Sequence, residues 1–357
     1  MKKSIGTPAI VYCQSAFNTP NGKTAHGLVR FTERFKVLSV IDATYAGKEA
    51  GEVLDNRSNG IPIVKDLEEA MGKAIHAGIT PEYFIIGLAP DGGRLSSEAR
   101  EEVYKAINRK MNIVCGLHDF LSEDRELAEA AAKNNIQLLD IRKPPHRKEL
   151  HFFSGDIEKV DALKIAFLGT DSAVGKRTSA WILVHELRRR GFKAEMVGTG
   201  QTAWMQGAKY SLVLDSLVND FVAGELEHAT VSAWKDGAEI IIIEGQGSLM
   251  NPAYPGGHEI LAACRPDMVV MQHAPARKEY DGFPGYPMHP LSDQIAAVKI
   301  LSGKPVVAVT VNHENLTSDE IQPACDDIRQ EVGIPAFDVL VEGGSGLCDE
   351  ILKYWKR

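Results

Sequence analysis

The sequence predicts an α/β protein made of two parallel-sheet domains, and three observations support this. The chain has 357 residues, more than one ordinary domain of about 150 residues needs. Short, continuously apolar runs alternate with helical patterns along its whole length. This alternation is typical of parallel strands that helices cover on both faces. The pattern breaks once, at Arg142–Gly155, which has two prolines and a basic cluster. We therefore place one domain at residues 1–150 and the other at residues 151–357.

The elements of the first half predict a small doubly wound domain. The expected strands are Ala9–Cys13, Val37–Ile41, Tyr83–Gly87, Asn112–Gly116 and Gln137–Asp140. The expected helices between them are Asp66–His76, Ser97–Lys110 and Glu123–Asn134. Asp42 follows the second strand, where an acid often contacts a ribose, but the usual glycine fingerprint after the first strand is missing.

The second half begins again with a strand, a glycine-containing loop and a long helix. The expected strands are Leu163–Leu168, Lys193–Val197, Glu239–Ile243, Asp267–Met271 and Pro305–Val311. The expected helices are Gly175–Arg190, Val218–Lys235, Leu291–Ser302 and Ser318–Val332. The opening strand, loop and helix provide the context that a phosphate-binding loop requires.

Composition narrows the class of protein. The net charge of -8 argues against a general nucleic-acid binder, which would have a basic surface. No apolar stretch approaches the ~18 residues of a membrane helix. The five cysteines are scattered and form no CxxC pair, which argues against disulfides and a zinc site. We expect a cytoplasmic protein that forms a homo-oligomer and takes a small-molecule substrate, with no nucleic-acid or membrane partner.

A phosphate-binding loop is the strongest motif of the chain. Successive backbone N–H groups can surround a phosphate, glycines allow its close approach, and the following helix adds its dipole. Lys176 adds a positive charge. The cofactor-binding residues that we predict are Gly169, Thr170, Asp171, Ser172, Ala173, Val174, Gly175, Lys176, Arg177 and Thr178.

The loop departs from the standard G-x-x-x-x-G-K-[ST] pattern in two ways. Five residues separate its glycines instead of four, and Arg177 moves the hydroxyl to Thr178. A helical residue corresponds to about 100° of rotation, so the Mg²⁺ ligand that normally follows the lysine is in doubt. This combination suits a diphosphate that is bound and never cleaved at least as well as ATP hydrolysis.

Further candidates follow the other strands, where parallel α/β sheets bind their ligands. Glu244 ends a run of isoleucines and could hold a metal, act as a base or orient a substrate amine; Gln246 follows it. Gln201 and Thr202 follow the Lys193–Val197 strand and could contact a substrate. We predict no metal site from any known ligand spacing.

A long segment rich in proline, glycine and aromatic residues spans Gln272–His289, and ordered loops of this kind are often functional. His273 is a candidate base because its ordinary pKa lies near neutrality. Arg277 could hold a substrate carboxylate in a bidentate manner.

The order of these motifs resembles that of the D-glutamate N-acetyltransferase family. The matching strings are GTDSAVGKRT, GTGQT, EGQGSL and the His-Ala-Pro-Ala-Arg loop ending in GFPGYP, together with GLHDFL in the first half. The Gly-Thr-Asp-Ser-x-Val-Gly-Lys string, with the following helix and a later Glu-Gly-x-Gly, also resembles dethiobiotin synthetase. The family resemblance implies an N-terminal Rossmann-like domain and a C-terminal P-loop NTPase-like domain.

The resemblance also implies transfer of an acetyl group from acetyl-coenzyme A to the amine of an acidic amino acid, D-glutamate first. Glu244 or His273 would then be the catalytic base, and Gln201, Thr202, Gln246 and Arg277 would contact the substrate. Two alternatives stay open at this point: an ATP-dependent ligase or kinase using Mg²⁺, and a nucleotide-binding regulator without chemistry of its own.

Overall fold

The structure is a computed structural model that describes residues 6–355. The chain divides into two compact units. Unit 1 is drawn from Met1–Pro144 and Gln201–Gly207, and unit 2 comprises Pro145–Gly200 and Ala208–Arg357. Unit 2 therefore contributes a short excursion, Gln201–Gly207, to the other compact body.

Unit 1 contains a six-stranded parallel sheet with strand order β3-β2-β1-β4-β5-β6. The strands are β1 (Thr7–Tyr12), β2 (Phe35–Ile41), β3 (Ile63–Val64), β4 (Tyr83–Ile86), β5 (Asn112–Cys115) and β6 (Leu138–Asp140). The helices are α1 (Lys23–Arg30), α2 (Ala50–Asp55), α3 (Leu67–His76), α4 (Ser97–Asn108) and α5 (Arg125–Asn134). This strand order is that of dinucleotide-binding folds.

The period of two along β1 explains why helices cover both faces of this sheet. Ile10 and Tyr12 belong to the buried cluster on one face, and Ala9 and Val11 belong to the cluster on the other. Alternate side chains of a strand point to opposite faces, so a strand that is apolar throughout needs a cover on each side.

Asp42, the acid after β2, hydrogen-bonds the main chain of unit 1. The Asp42 carboxylate is buried and accepts hydrogen bonds from the main-chain N–H groups of Phe17 and Thr44, both at 2.9 Å. Its two oxygens thereby organise the turns after β1 and β2. In this structure Asp42 stabilises loops at the position where a ribose contact was expected.

The excursion forms helix α7 (Gln201–Gln206), which packs against α1. Met205 is buried in the same core cluster as Leu28 of α1. Gln206 Nε2 donates to the main-chain oxygen of Gly27 at 2.8 Å. The guanidinium of Arg34 lies 4.0 Å from the Trp204 ring centroid, a cation–π distance. These contacts explain why the segment belongs to unit 1.

Unit 2 contains a seven-stranded parallel sheet with strand order β13-β12-β11-β7-β10-β8-β9. The strands are β7 (Leu163–Gly169), β8 (Ala194–Gly198), β9 (Tyr210–Ser211), β10 (Ile240–Glu244), β11 (Met268–His273), β12 (Val306–Val311) and β13 (Ala336–Phe337). The helices are α6 (Lys176–Arg189), α8 (Asn219–Lys235), α9 (His258–Ala263), α10 (Leu291–Ser302), α11 (Ser318–Val332), α12 (Val339–Glu342) and α13 (Ser345–Leu352).

The predicted α/β architecture with two parallel sheets is confirmed, and most boundaries agree within two residues. The sequence patterns missed the two-residue edge strands β3, β9 and β13, which are too short to show a period. The segment that carries Gln201 and Thr202, for which the sequence predicts no helix, is helical. Within residues 6–355, no helix combines the length and the apolar character needed to cross a membrane.

Candidate functional site

The phosphate loop connects β7 to α6 through two residues with left-handed backbone. Ala173 has a φ of 52° and Gly175 a φ of 103°. A Cβ on Gly169 would lie 2.9 Å from the Lys176 side chain, so a larger residue there would displace that lysine. The helix begins without a side-chain cap and without an acid in its first turn. A helix start without a capping side chain or an acid, together with its dipole, favours an anion.

Lys176 connects the phosphate loop to the turn that follows β10, the strand beside β7. Its Nζ donates to the main-chain oxygens of Asp171 and Gly247, each at 2.7 Å. Gly247 has a φ of 46°, and a Cβ there would meet the Tyr254 oxygen at 1.9 Å. The ammonium group is thus held between the phosphate loop and the turn after β10.

Asp171 is the organising acid of the loop. Its side chain is fully buried, and its two oxygens accept four hydrogen bonds. The donors are Ser172 N at 2.6 Å, Asn251 Nδ2 at 2.7 Å, Arg277 Nη1 at 2.7 Å and Asp281 N at 2.8 Å. The carboxylate thereby connects the phosphate loop to the proline-rich loop, residues 274–289, and to the turn after β10.

The guanidinium of Arg277 is already engaged by protein groups. Nη1 also donates to the Ser172 oxygen at 2.9 Å, and Nε and Nη2 donate to the two oxygens of Glu314 at 2.8 and 2.9 Å. Arg277 therefore holds the proline-rich loop against the phosphate loop. The contact predicted between Arg277 and a substrate carboxylate stays a prediction. In the structure the Arg277 guanidinium connects two loops of the protein.

Glu244 ends β10, which pairs directly with β7. Its Oε2 accepts the main-chain N–H of Thr199 at 2.9 Å, and its Oε1 lies 3.9 Å from Nη1 of Arg177. Gln246 Nε2 donates to Thr199 Oγ1 at 2.8 Å. Burial raises the pKa of Glu244, and the Arg177 charge and the Thr199 N–H oppose that shift. These contacts place Glu244, Gln246 and Arg177 together, next to the start of α6.

His273 ends β11 on the other side of β7. Its Nδ1 shares a hydrogen bond of 3.0 Å with Thr170 Oγ1 of the phosphate loop. Burial, with the nearby charges of Lys278 and Arg277, lowers the pKa of His273 to about 4. The ring is therefore neutral near pH 7.

Gln272 was not among the predicted site residues, yet it hydrogen-bonds the phosphate loop and the strand and helix beside it. Its Oε1 accepts hydrogen bonds from Ser179 Oγ and Thr310 Oγ1, both at 2.6 Å, and its main-chain oxygen accepts Thr170 N at 2.9 Å. The sequence signal that could have identified Gln272 is its place at the end of the apolar run MVVMQ, because a buried amide must have hydrogen-bond partners.

A cavity of about 600 Å³ opens beside His273, between the proline-rich loop and α11. Its lining combines apolar side chains, such as Met288 and Leu316, with the charged Lys278 and Asp327. His273 contributes to this cavity and also bonds the phosphate loop. The cavity therefore adjoins the phosphate loop through His273 and also through Arg277, which lines it as well.

The two remaining predicted residues lie in unit 1. Thr202 is buried, and its Oγ1 shares a hydrogen bond of 3.1 Å with Thr24 Oγ1. Gln201 packs at the end of β5, where its side chain would contact a Cβ on Gly116. Both side chains contact other residues of unit 1, whereas Glu244, Gln246, His273 and Arg277 surround the phosphate loop within unit 2. Their predicted substrate contacts stay untested.

This geometry defines a class of protein, a P-loop α/β protein with a second sheet of dinucleotide-binding strand order. Residues 151–348 match the model of a P-loop domain of unknown function, DUF1611_C, and residues 43–144 match the Rossmann-like domain DUF1611_N. The chain belongs to the DUF1611 family, which confirms the family expected from its motifs.

Two curated relatives share most of their length with this chain, and both are named D-glutamate N-acetyltransferase. The protein from Pseudoalteromonas sp is 31% identical over 274 residues, which cover 75% of this chain and 80% of the relative. The protein from Tritonibacter scottomollicae is 28% identical over 273 residues, with the same coverage of 75% and 80%. A crystal structure of a DUF1611 family protein from Anabaena variabilis matches 98% of this chain at 26% identity, with a TM-score of 0.88.

Proposed function

We propose that this protein is an N-acetyltransferase that moves an acetyl group from acetyl-coenzyme A to the amine of an acidic amino acid, D-glutamate first. The observation that carries the proposal is the Thr170–His273 hydrogen bond, because it joins a phosphate-binding loop to a cavity through a neutral histidine. The names of both curated relatives support the choice of reaction and acceptor.

The phosphate loop would hold the diphosphate of coenzyme A. The uncapped start of α6 and the Lys176 ammonium supply hydrogen-bond donors and positive charge for that group. The thioester would extend into the adjoining cavity, whose apolar and charged lining suits an amphipathic chain and a charged acceptor. Lys278 lines this cavity and is exposed, so it is the cation we propose for the acceptor carboxylate.

The reaction requires one proton acceptor. The ammonium group of the acceptor first loses one proton to solvent. The amine nitrogen then attacks the thioester carbonyl carbon, a C–N bond forms, the C–S bond breaks, and a second amine proton passes by way of the base to the thiolate. His273 is the base we propose, because its nitrogen is unprotonated at neutral pH and an amine becomes strongly acidic once it has attacked. Glu244 is buried behind Arg177 and Thr199, so we assign it to positioning in this scheme.

We expect thiol release from acetyl-coenzyme A when D-glutamate is supplied, measured with a thiol reagent, and an N-acetylated product in the mass spectrum. His273→Ala should lower kcat by about 100-fold or more, the contribution typical of a general base. His76→Ala, an exposed histidine of α3, is the matched control and should leave kcat unchanged.

A panel of D- and L-amino acids decides the acceptor, and ATP with Mg²⁺ tests the ligase or kinase alternative. Mg²⁺-dependent ATP turnover without thiol release from acetyl-coenzyme A would overturn the proposal.

A cytoplasmic location and self-association belong to the same proposal. The location is supported by the five cysteines, all of which are free and buried, as expected in a reducing compartment.

A further inference from the structure

P-loop NTPases hold Mg²⁺ between two protein groups, the hydroxyl that follows the loop lysine and an acid at the end of a nearby strand. In this chain those two positions belong to Arg177 and Glu244. Glu244 is the last residue of β10, and its register partner is Phe167 of β7, the strand that feeds the loop. The strand-end acid is therefore in place, while the hydroxyl position carries a guanidinium.

The two side chains lie close to each other. Arg177 Nη1 lies 3.9 Å from Glu244 Oε1, and both side chains are largely buried. The other oxygen of Glu244 accepts the main-chain N–H of Thr199 at 2.9 Å. A divalent cation on this carboxylate would have to displace a permanently charged guanidinium or lie beside it. The residues at this position do not fit Mg²⁺.

The next hydroxyl along the helix does not occupy the usual ligand position. Thr178, one residue further along α6, is rotated by about 100° from the position of Arg177. Within residues 6–355, no cluster of three or more histidine, cysteine or acidic side chains could hold a metal ion.

We infer that the Arg177–Glu244 pair takes the place of Mg²⁺, so that this loop binds a diphosphate without a metal. Glu244 aims the guanidinium, and Arg177 supplies the positive charge and the planar set of donors that match phosphate oxygens. The inference rests on the phosphate site of the proposed function and does not depend on acetyl transfer.

The test is isothermal titration with three probes, coenzyme A, ADP and inorganic pyrophosphate, each in EDTA and in Mg²⁺. The unchanged protein should bind with dissociation constants that agree within about twofold between the two buffers. Arg177→Thr restores the usual metal-ligand hydroxyl. In EDTA it should bind about 10- to 100-fold more weakly, the loss expected for a charge-assisted contact, and Mg²⁺ should recover binding.

Two further variants control for folding and for charge. Arg177→Lys keeps the positive charge and should keep binding independent of Mg²⁺. Arg189→Thr removes an exposed arginine of the same helix and should change nothing. If Arg177→Thr fails to fold in a thermal melt, the unchanged protein and Arg177→Lys decide the question by their response to Mg²⁺.

The probes separate this inference from the proposed function. Binding of ADP and pyrophosphate in EDTA without binding of coenzyme A would support the inference and remove the proposed function. Coenzyme A binding that is tenfold or more tighter in Mg²⁺ would overturn the inference and leave the proposed function in place. Unaltered binding by Arg177→Thr in EDTA, or no binding of any probe, would also overturn the inference.

Discussion

Asp171 brings a fully buried carboxylate beside four hydrogen-bond donors from three separate segments of unit 2. A buried charge is costly unless it is paired, and removal of one member leaves the others without a partner. Arg277, in contact with both Asp171 and Glu314, is the main group that would lose its partner. The shape of the phosphate loop therefore depends on one residue that touches no ligand in our scheme.

Asp171→Ala should lower the free energy of unfolding by about 3–5 kcal/mol, the range for breaking a buried ion pair. The measurement is urea denaturation followed by tryptophan fluorescence. Glu129→Ala is the matched control, since Glu129 and its partner Arg125 are both mostly exposed, and it should cost no more than about 1 kcal/mol. A loss for Asp171→Ala as small as the control's would contradict this account of the loop.

At the scale of elements, the segment after the unit boundary is bound along helix α8. Glu225 accepts the main-chain N–H of His151 at 2.6 Å, and Glu227 accepts that of Ser154 at 2.6 Å. The crossing is close because α8 has glycine at position 224. A Cβ there would lie 2.1 Å from the main-chain oxygen of His151. Glycine thus lowers the helix propensity of α8 at position 224 and allows the segment at His151 to pack closely against the helix.

Gly224→Ala should destabilise the protein by about 1–3 kcal/mol, because the backbone of the crossing segment must move. Gly72→Ala, in the middle of α3 with open space around its Cβ, should stabilise the protein by about 0.5–1 kcal/mol. Thermal melts of the two variants should therefore shift in opposite directions. A stabilised Gly224→Ala variant would show that the crossing is not as close as the structure has it.

At the scale of the whole molecule, acid should weaken the fold in two stages. Burial lowers the pKa of both His273 and His185 from 6.5 to about 4. The unfolded chain takes up these protons first, so the stability they contribute is complete above pH 6.5 and is lost as the pH falls towards 4. Carboxyl groups with lowered pKa values, such as Glu186 at about 2, extend the loss further into acid.

The free energy of unfolding should therefore fall continuously between pH 6.5 and pH 4, before most carboxyl groups are protonated. Urea denaturation at half-unit pH intervals measures the slope. His273→Gln should reduce that slope whatever it does to stability at pH 7, while replacement of the exposed His76 by Gln should not. An unchanged slope in His273→Gln would mean that this histidine titrates normally.

The parts of the fold that could be predicted are those written in local patterns. The apolar run of β7, the glycines and Lys176 predict strand, loop and helix because each signal lies within a few residues. The Asp171–Arg277 pair joins residues 106 positions apart, and no local pattern shows it. Helix α7 was missed because its six residues are too few to show a helical period and its stability comes from burial of Met205.

The same distinction applies to the candidate site. Glu244 and His273 could be selected because parallel sheets place the ends of their strands at one edge. Their different environments could not be predicted, since Arg177 and Thr199 reach Glu244 while Thr170 reaches His273. Both residues were selected because each ends a strand, yet His273 is a neutral histidine beside a cavity and Glu244 is a buried acid beside an arginine.

The excursion Gln201–Gly207 has a consequence for anyone who divides this gene. A cut at the boundary near Pro144 would give a first fragment without Met205, which fills its core, and a second fragment with that apolar helix left uncovered. Neither half can therefore be expressed intact as a simple stretch of sequence. Any continuous stretch of the gene that encodes all of one unit also encodes part of the other.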